Sequence, residues 1–272
     1  MLQPFMQPSI TVIMPSYNQA AFIEESIQSV LHQAYPALEL LVIDGGSTDG
    51  TLEILRKIQD TRFKWVSERD KGQADAINKG FRKASGNILT WLNADDLYLP
   101  ETLTKVGKFF SEHPKTMWLI GHATIVNREG KEIRKWVSAY KSRRLRHYSY
   151  SALLSENFIP QMGVFFRQEA IREVGGVDEN LKYAMDYDLW LRLGKRFEPG
   201  FIHENIAKFR MYATTKSITG FHQQFKEDYE VAKKYAGRSF WPIFFHGVNR
   251  IKIVTIYQFL AFLRKIGRPL YR

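Results

Sequence analysis

The amino-acid sequence predicts an α/β fold with a mostly parallel central sheet, helices on both of its faces, and a C-terminal amphipathic helical tail. Through about the first 110 residues, short apolar, β-branched runs alternate with helix-like stretches, and repeated strand–helix–strand units of this length form parallel sheets. A polar cluster directly follows each apolar run. The chain has 272 residues, 44% hydrophobic and 25% charged, as expected for one large globular domain or two small ones.

Four strands and the helices between them are expected in the N-terminal part. Pro15 is expected to end the first strand, and Gly45 and Gly46 to end the second. Ser47 to Asp49 then supply side chains that can cap the next helix. The strands are expected at residues 10–14, 38–43, 62–66 and 87–92. The helices are expected at residues 20–33, from the caps at 47–49 to residue 57, and at 75–84.

After about residue 110 the alternation loosens. A strand is expected at residues 164–166 and a helix at 187–195. Residues 131–147 are strongly basic and contain several aromatic side chains. Two interpretations of this segment stay open: a mobile loop or helix with a solvated face, or a segment that holds an anionic acceptor.

The positive charge is concentrated at the C-terminus. The formal net charge is +11, and residues 231–272 contain nine bases and no acid, so the rest of the chain is nearly neutral. Residues 238–272 interleave bases with aromatic side chains, a pattern typical of a helix on an anionic membrane surface. Packing of this tail on the body or on a partner subunit is the alternative. We see neither a signal peptide nor a membrane-spanning run and expect a cytoplasmic protein, peripheral on the membrane.

Several functional classes are excluded by what the sequence lacks. The absence of cysteine excludes disulfide scaffolds, thiolate zinc sites and cysteine nucleophiles. The glycine-rich turn at residues 44–51 has neither the dinucleotide-binding nor the P-loop spacing, and no nucleophile elbow or zinc-protease histidine pair is present. No nucleic-acid reading motif accompanies the basic tail, so nucleic acid is not an expected partner.

The polar clusters after the predicted strands form the candidate site, because ligands bind at the carboxyl ends of the strands in such sheets. The clusters are Ser16-Tyr17-Asn18, Asp44-Gly45-Gly46-Ser47, Arg69-Asp70 and Asn93-Ala94-Asp95-Asp96.

The adjacent acids Asp95 and Asp96 have two interpretations. Neighbouring carboxylates at a strand end repel each other unless a cation lies beside them, and one or two carboxylates with a ligand's phosphates are a usual site for Mg²⁺ or Mn²⁺. The same pair also suits the start of a helix at Leu97. Both interpretations stay open on the residues alone.

A second acidic pair, Asp186 and Asp188, precedes an amphipathic helix. One of them could be a general base at the mouth of a site, and the other a cap or a partner of Arg192. Alternatively, both are first-turn acids that interact with the positive end of the helix.

Taken in order, six segments resemble the family 2 glycosyltransferases, inverting enzymes of GT-A fold that use nucleotide sugars. The resemblance covers roughly residues 10–217. The segments are ITVIMPSYNQ, ELLVIDGGSTDGT, SERDKGQADAINKGFRKASGNILTWLNADD, IPQMGVFFRQEA, GGVDENLKYAMDYDLWLRL and the pair Phe209-Arg210.

The resemblance implies a donor site and a metal site. Asp44 would read the base, most often uracil, and Asp95 and Asp96 would hold Mn²⁺ or Mg²⁺ on the donor diphosphate in the place of the DXD motif. Asn93 stands where many relatives have Asp. The implied donor-binding residues are Pro15, Ser16, Tyr17, Asp44, Gly46, Asp70, Gly72, Asn93, Ala94 and Asp95.

It also implies a catalytic base and an acceptor site. Asp186 matches the acid usually assigned as general base, with Met185 in place of a frequent Glu. Gln161 and Asp188 would face the acceptor. Tyr212 stands where relatives often have His, so a histidine metal ligand is not expected there.

The resulting expectation is an inverting transferase for a nucleotide sugar, with a lipid-linked or polysaccharide acceptor. Residues 1–230 would form the GT-A domain, with a nucleotide-sugar half at about 10–110 and an acceptor half at about 111–230, followed by the basic tail 231–272. A non-catalytic module that binds a sugar nucleotide or an anionic lipid is the alternative, and hydrolysis of the donor without an acceptor is a third possibility.

Overall fold

The computed structural model describes residues 7–213, 215, 220–238, 240–249 and 251. Its strands are β1 Ile10–Ser16, β2 Leu38–Asp44, β3 Phe63–Ser67, β4 Ile88–Trp91, β5 Leu97–Tyr98, β6 Trp118–Val126, β7 Val164–Arg167 and β8 Gly200–Arg210. Its helices are α1 Ile23–Leu31, α2 Thr51–Lys57, α3 Gln73–Lys83, α4 Thr102–Glu112, α5 Lys135–Arg146, α6 Tyr150–Ser155, α7 Gln168–Val174, α8 Met185–Arg196 and α9 Phe221–Ala236. A 3₁₀ turn, Gln161–Gly163, precedes β7.

The strands form one sheet in the order β3-β2-β1-β4-β7-β6-β8-β5. The first four are mutually parallel, as the alternation of strands and helices predicts. Antiparallel pairing begins at β7, which runs against both β4 and β6, and occurs again between β5 and β8, while β6 and β8 are parallel. The α/β architecture is confirmed, with a parallel half and a mixed half.

Helices cover both faces of the sheet because residues along each buried strand alternate between two cores. Ile13 belongs to the core under α3, α7, α8 and α9, whereas its neighbours Val12 and Met14 belong to the core under α1 and α4. Burying each such aliphatic side chain contributes about 1.5–3 kcal/mol. The two cores fix the sheet between its helices and leave the strand ends to form the site.

The predicted domain boundary at 230/231 falls inside α9. Val231, Ala232 and Ala236 lie beyond that boundary and are buried in the core that contains α8. Most of the predicted amphipathic tail, residues 252–272, lies outside the described residues. Across the part of the chain that the structure describes, no helix has the length and apolar character needed to cross a membrane.

Candidate active site

The carboxyl ends of the first three strands meet at one edge of the sheet. Ser16 pairs with Asp44, and Asp44 pairs with Ser67, so three polar residues are level with one another. Asp44 is fully buried, and its Oδ2 accepts hydrogen bonds from the Ser47 backbone N–H at 2.9 Å and the Ser67 hydroxyl at 2.6 Å. The backbone N–H of Gly46 donates to the same oxygen at 3.0 Å, and the Ser47 hydroxyl donates to Oδ1. The Asp44 carboxylate therefore holds both the turn that follows it and the end of β3.

The loop after β3 lies against this turn. The Asp70 carboxylate approaches the Gly45 backbone so closely that a Cβ on Gly45 would lie 2.5 Å from Asp70 Oδ2. Asp70 Oδ1 also accepts a hydrogen bond from the backbone N–H of Gly72 at 2.9 Å. Glycine at 45 thus permits the contact between the two loops, and it brings Asp70 and Gly72 to the same edge as Asp44.

The segment after β1 presents one aromatic ring to solvent. Tyr17 is 61% exposed, while the preceding Pro15 and Ser16 are buried. Asn18 takes a left-handed backbone conformation with φ of 51°, which Asn tolerates better than most residues. Its backbone N–H donates to Ser47 Oγ at 2.8 Å, so the first two loops are joined. The predicted donor residues of β1 and β2 are therefore brought together.

An amide network holds the loop after β4. Gln73 Nε2 donates to Asn93 Oδ1 at 2.7 Å, and Asn93 Nδ2 donates to Gln161 Oε1 at 3.2 Å. Gln161 Nε2 in turn donates to the backbone carbonyl of Trp91 at 2.6 Å. The carbonyl of Ala94 accepts a hydrogen bond from the buried hydroxyl of Ser26 at 2.9 Å. The network places the predicted acceptor residue Gln161 directly beside the predicted donor residue Asn93.

The two acids of this loop have different environments. Asp96 is fully buried, with Oδ1 accepting from the Arg210 backbone N–H at 2.9 Å and Oδ2 accepting from Asn93 Nδ2 at 3.2 Å. Burial and the neighbouring Asp95 charge raise the pKa of Asp96 well above its ordinary value. Both Asp96 oxygens accept hydrogen bonds from protein groups, whereas Asp95 is half-buried, and the metal site at this pair stays a prediction. Leu97 begins strand β5, so the alternative in which the two acids start a helix at Leu97 is wrong.

A cationic and aromatic cluster packs beside Asp95. The Tyr212 hydroxyl donates to Asp95 Oδ2 at 2.9 Å, and its ring lies 4.8 Å from the Phe22 ring. The Arg210 guanidinium lies 4.8 Å from the same Phe22 ring, is 1% exposed, and pairs with Glu25 at 2.6 Å. These contacts of Arg210 and Tyr212 link the end of β8 to the loop after β4 and to α1.

A stack of three tryptophans sets the position of Asp186. Trp190 of α8 stacks on Trp91 at the end of β4 with ring centroids 5.4 Å apart, and on Trp118 with centroids 6.2 Å apart. Trp118 of β6 pairs with Phe166 of β7, and Phe166 in turn pairs with the first half of β4, so Trp118 is level with the start of β4. Gly194 of α8 lies against the Trp118 ring. Helix α8 therefore runs from the carboxyl edge towards the amino edge.

Asp186 lies one turn before Trp190, on the same face of α8. This places the carboxylate at the carboxyl edge, on the side of the Asn93–Asp96 loop. Its Oδ1 accepts a hydrogen bond from the Tyr187 backbone N–H at 2.7 Å. Burial raises the pKa of Asp186 to about 6, although the nearby Lys141 ammonium acts to lower it. Such a carboxylate is ionised at neutral pH and still able to take up a proton.

Asp188, predicted to face the acceptor, is not brought to this edge. Its Oδ2 accepts from Arg192 Nε at 2.8 Å, and its Oδ1 accepts from Tyr235 Oη at 2.8 Å and Lys234 Nζ at 3.2 Å. It is 1% exposed. The side chain therefore joins α8 to α9, in agreement with the interpretation of one acid as an Arg192 partner.

Several residues near the site were not predicted from the sequence. Ser67 and Gln73 directly follow the predicted third strand and the Asp70–Gly72 turn, so the strand-end rule could have found them. Glu227 accepts from the three backbone N–H groups of residues 182–184, just before α8. Lys141 and Asp228 interact electrostatically with Asp186. No local sequence pattern predicts a place near the site for Glu227, Lys141 or Asp228.

Residues 11–175 match the family model described as glycosyl transferase family 2. The chain belongs to this family. An uncharacterized glycosyltransferase of Rickettsia prowazekii is 26% identical over 283 residues, covering 98% of this chain and 83% of the relative. The putative teichuronic acid biosynthesis glycosyltransferase TuaG of Bacillus subtilis is 29% identical over 75% of this chain and 80% of its own length. Family membership makes the protein a glycosyltransferase.

Solved structures share the GT-A type fold of this glycosyltransferase. The crystal structure of TarS residues 1–349 from S. aureus aligns with a TM-score of 0.61 and 20% identity, covering 82% of this chain, which spans 65% of that structure. The mannosyltransferase PcManGT of Pyrobaculum calidifontis, solved with GDP-Man and Mn²⁺, aligns with a TM-score of 0.63 and 20% identity over 94% of this chain and 81% of its own. At these identities the likeness establishes the fold.

Proposed function

We propose that this glycosyltransferase moves a sugar from a nucleoside diphosphate sugar, UDP-linked, to an acceptor hydroxyl with inversion at the anomeric carbon. The observation that carries the proposal is the position of Asp186. A carboxylate with a pKa of about 6 lies at the carboxyl edge of the sheet, on the side of the loop that follows β4. The structure of TarS in complex with UDP-GlcNAc, whose fold this chain shares, supports a nucleotide sugar as the donor.

The proposed reaction is a single displacement. The acceptor oxygen forms a bond to the anomeric carbon as the bond to the diphosphate oxygen breaks, and the acceptor proton passes to a carboxylate oxygen of Asp186. A hydroxyl is a poor nucleophile, so a base within hydrogen-bond reach is required as attack proceeds. The diphosphate carries away the bonding electron pair, and attack from the opposite face inverts the anomeric carbon.

The donor side of the proposal rests on the loops after β1 to β4. We propose that Tyr17, exposed at this edge, contacts the base and that the Asp70–Gly72 loop contacts the ribose and sugar. Because the Asp44 carboxylate holds the turn that follows it and the end of β3, we propose that Asp44 shapes the nucleotide pocket as well as reading the base.

A divalent metal fits this site through Asp95. Among the described residues, no group of three or more His, Cys, Asp or Glu side chains could hold a metal ion. Mg²⁺ and Mn²⁺ are usually bound by one or two carboxylates together with substrate phosphates, so a single half-buried Asp95 is compatible with them. A bound Mn²⁺ or Mg²⁺ would supply Lewis-acid stabilisation of the leaving diphosphate.

We propose a lipid-linked or polysaccharide acceptor and a peripheral position on the cytoplasmic face of a membrane. The relative TuaG is named for teichuronic acid biosynthesis, which supports a cell-surface glycan as acceptor. Helical residues 240–249 expose Phe240, Trp241, Phe244 and Phe245, each by 48% or more. Exposed aromatic side chains followed by a basic tail without acids fit an anionic lipid surface.

The transfer is tested by a donor and acceptor screen. The purified chain is incubated with UDP-, GDP- and dTDP-sugars, with and without simple glycan or lipid-phosphate acceptors, and products are detected by mass spectrometry. We expect one UDP-sugar to give a glycosylated acceptor of inverted anomeric configuration. Release of the nucleoside diphosphate at the same rate with and without an acceptor would indicate hydrolysis of the donor. Binding of the donor without any turnover would indicate a non-catalytic module.

Membrane association is tested by sedimentation with vesicles of anionic and of zwitterionic phospholipids. We expect binding to the anionic vesicles only, and weaker binding for Trp241→Ser with Phe244→Ser. Trp136→Ser, which removes a 62% exposed aromatic side chain from α5, is the matched control. Equal sedimentation of all three proteins would refute the proposed role of residues 240–249.

A further inference from the structure

Helix α5 exposes two large aromatic side chains. Trp136 is 62% exposed and Tyr140 is 46% exposed. Among the described residues, the other large hydrophobic side chains with such exposure are Tyr17, at the proposed nucleotide pocket, and several in residues 240–251, at the proposed membrane surface. The aromatic pair on α5 therefore belongs to neither of the proposed binding surfaces and calls for a ligand of its own.

The pair belongs to a stripe along one face of α5. Side chains four and seven positions apart share a helix face, so Trp136, Tyr140 and Arg143 are in line, and we call these three residues the α5 stripe. Arg143 is exposed as well. Among the described residues, the ion pairs of α5 involve Lys135 and Arg144 and leave the Arg143 guanidinium without a carboxylate partner.

The start of α5 lies at the edge of the sheet that carries the candidate site. Strand β6 is parallel to β4, so its last residue, Val126, lies at the carboxyl edge, where it pairs with Arg210 beside the loop after β4. Ser138 Oγ accepts a hydrogen bond from the Ile125 backbone N–H at 3.3 Å, which holds the beginning of α5 next to the end of β6. Trp136, in the first turn of α5, is therefore at the same edge as the site.

Hydrogen bonds connect the stripe to the beginning of α8 through α6. Tyr140 Oη donates to Glu156 Oε2 at 2.6 Å, and Glu156 directly follows the last residue of α6. From the other side, Tyr187 Oη donates to the Leu153 carbonyl of α6 at 2.6 Å. Tyr187 is the residue after Asp186. Helix α6 is thus bonded both to the stripe and to the neighbour of the proposed base.

The composition of the stripe fits a negatively charged glycan. The apolar C–H face of a sugar ring packs on an aromatic ring, and a guanidinium binds carboxylate or phosphate groups through paired hydrogen bonds. Residues 131–147 contain seven bases and one acid, so the charge around the stripe is complementary to an acidic chain. A bilayer fits less well, because an interfacial helix needs a broad apolar face and this stripe is flanked by the exposed bases Lys135 and Arg146.

We propose that the α5 stripe binds the acceptor as an extended acidic glycan, at sugar units remote from the hydroxyl that reacts at Asp186. Trp136 and Tyr140 are about 6 Å apart along the helix axis and Arg143 is about 4.5 Å farther on, so one extended chain can contact all three. The inference rests on the proposed function in taking a glycan as the acceptor. It assigns the basic segment 131–147 to acceptor binding.

The direct test is calorimetric binding of the full chain to polygalacturonate oligosaccharides. Polyglutamate of equal charge, an acidic chain without sugar rings, measures the background attraction of the basic tail, and we expect the glycan to bind more tightly. Trp136→Ser should weaken glycan binding about tenfold, because a stacking contact is lost, whereas Trp136→Phe keeps a ring and most of the affinity. Arg143→Met should also weaken it, while Arg82→Met, which removes an exposed base at the end of α3, should not.

The kinetic test compares a long and a short form of the acceptor found in the screen. Trp136→Ser should raise the KM of the long acceptor about tenfold and leave its kcat and the donor KM within about twofold of wild type. The short acceptor should be unaffected, because only the long chain reaches the stripe. A residue with a purely structural role would change the kinetics of both acceptors and of the donor together.

Three results would overturn the inference. They are equal affinities of wild type and Trp136→Ser for polygalacturonate, equal affinities of wild type for polygalacturonate and polyglutamate, and equal losses in Trp136→Ser for the long and the short acceptor. The binding measurement needs neither donor nor turnover, so failure of the stripe is distinguished from failure of the transferase proposal. Sugar transfer by a chain that does not bind the glycan through α5 would refute this inference alone.

Discussion

At the scale of single residues, the proposed chemistry depends on the protonation of Asp186. Burial raises the pKa of this carboxyl group to about 6, and a general base works only in its ionised form. We expect kcat/KM to rise with pH through about pH 6 and to level off above it. A profile that is flat between pH 5 and pH 7 would show that another group removes the proton.

The substitution Asp186→Asn removes the base and leaves the fold intact. We expect kcat to fall by about 10²- to 10⁴-fold, as for the loss of other general bases, while the Kd for UDP stays within about twofold of wild type. Calorimetric binding and a transfer assay measure the two quantities. Asp60→Asn, the same change in an Arg62-paired acid just before β3, is the control that should retain activity. Normal transfer by Asp186→Asn would exclude it as the base.

The two acids after β4 should respond differently to substitution, since Asp95 is half-buried and Asp96 is fully buried. Asp95→Asn should abolish the difference in UDP affinity between Mn²⁺ and EDTA and leave the melting temperature nearly unchanged. Asp96→Ala should lower the free energy of unfolding by about 1–3 kcal/mol, because the buried N–H of Arg210 loses its acceptor. Calorimetry and urea unfolding measure these effects. Metal-dependent UDP binding that survives in Asp95→Asn would contradict the assignment.

At the scale of elements, α9 holds the N-terminal end of α8. Glu227 accepts hydrogen bonds from the backbone N–H groups of Lys182, Tyr183 and Ala184 at 3.1, 2.7 and 3.2 Å. These donors precede the first turn of α8, where a negative charge is also favoured by the helix dipole. The loop that leads to Asp186 is therefore fixed by a distant helix.

Loss of this contact should destabilise the protein. We expect Glu227→Ala to reduce the free energy of unfolding by about 2 kcal/mol, because three N–H groups, two of them partly buried, lose their shared acceptor. Glu230→Gln, a change in the same helix, is the matched control and should have little effect. Urea unfolding followed by tryptophan fluorescence measures the difference. Equal stability of the two variants would show that water replaces the carboxylate without cost.

Elements with a local signature were predicted well from the sequence. The first four strands have apolar, β-branched runs that end at Pro15, Gly45 or a polar cluster, and each is found within a residue or two of its expected position. Strand β8 was missed because its exposed central residues, 203–205, interrupt the alternation that marks a strand. Strand β7 runs against β4, and Gln161 just before it contacts the end of β4; no local pattern reveals either feature.

The same distinction holds for the candidate site. Residues that follow a strand directly, such as Asp44 and Asp95, were found because their position along the chain implies their position at the sheet edge. Glu227 reaches the backbone just before α8 only through the packing of α9 beside α8. Sequence spacing holds no information about such contacts in a single chain, so the surroundings of the proposed base required the structure.

At the scale of the whole molecule, the C-terminal third completes the sheet. Strand β8 lies between β6 and β5, and it buries Ile206 and Ala207 in the core beneath α1 and α4. A chain that ends at residue 199 would expose the edges of β6 and β5 and lose α9. We expect this shortened chain to lack a cooperative urea transition, whereas the full chain shows one. A cooperative transition in the shortened chain would show that the parallel half folds by itself.

The anchoring of α8 by Glu227 also sets an order of events during protein synthesis. Residues emerge from the ribosome from the N-terminus onwards, and folding begins with the part that emerges first. The loops after β1 to β4 belong to the early part of the chain, whereas Glu227 and Asp228 follow near its end. In a nascent chain the residues of the nucleotide loops would thus emerge first, whereas the surroundings of Asp186 could be assembled only after α9 has emerged.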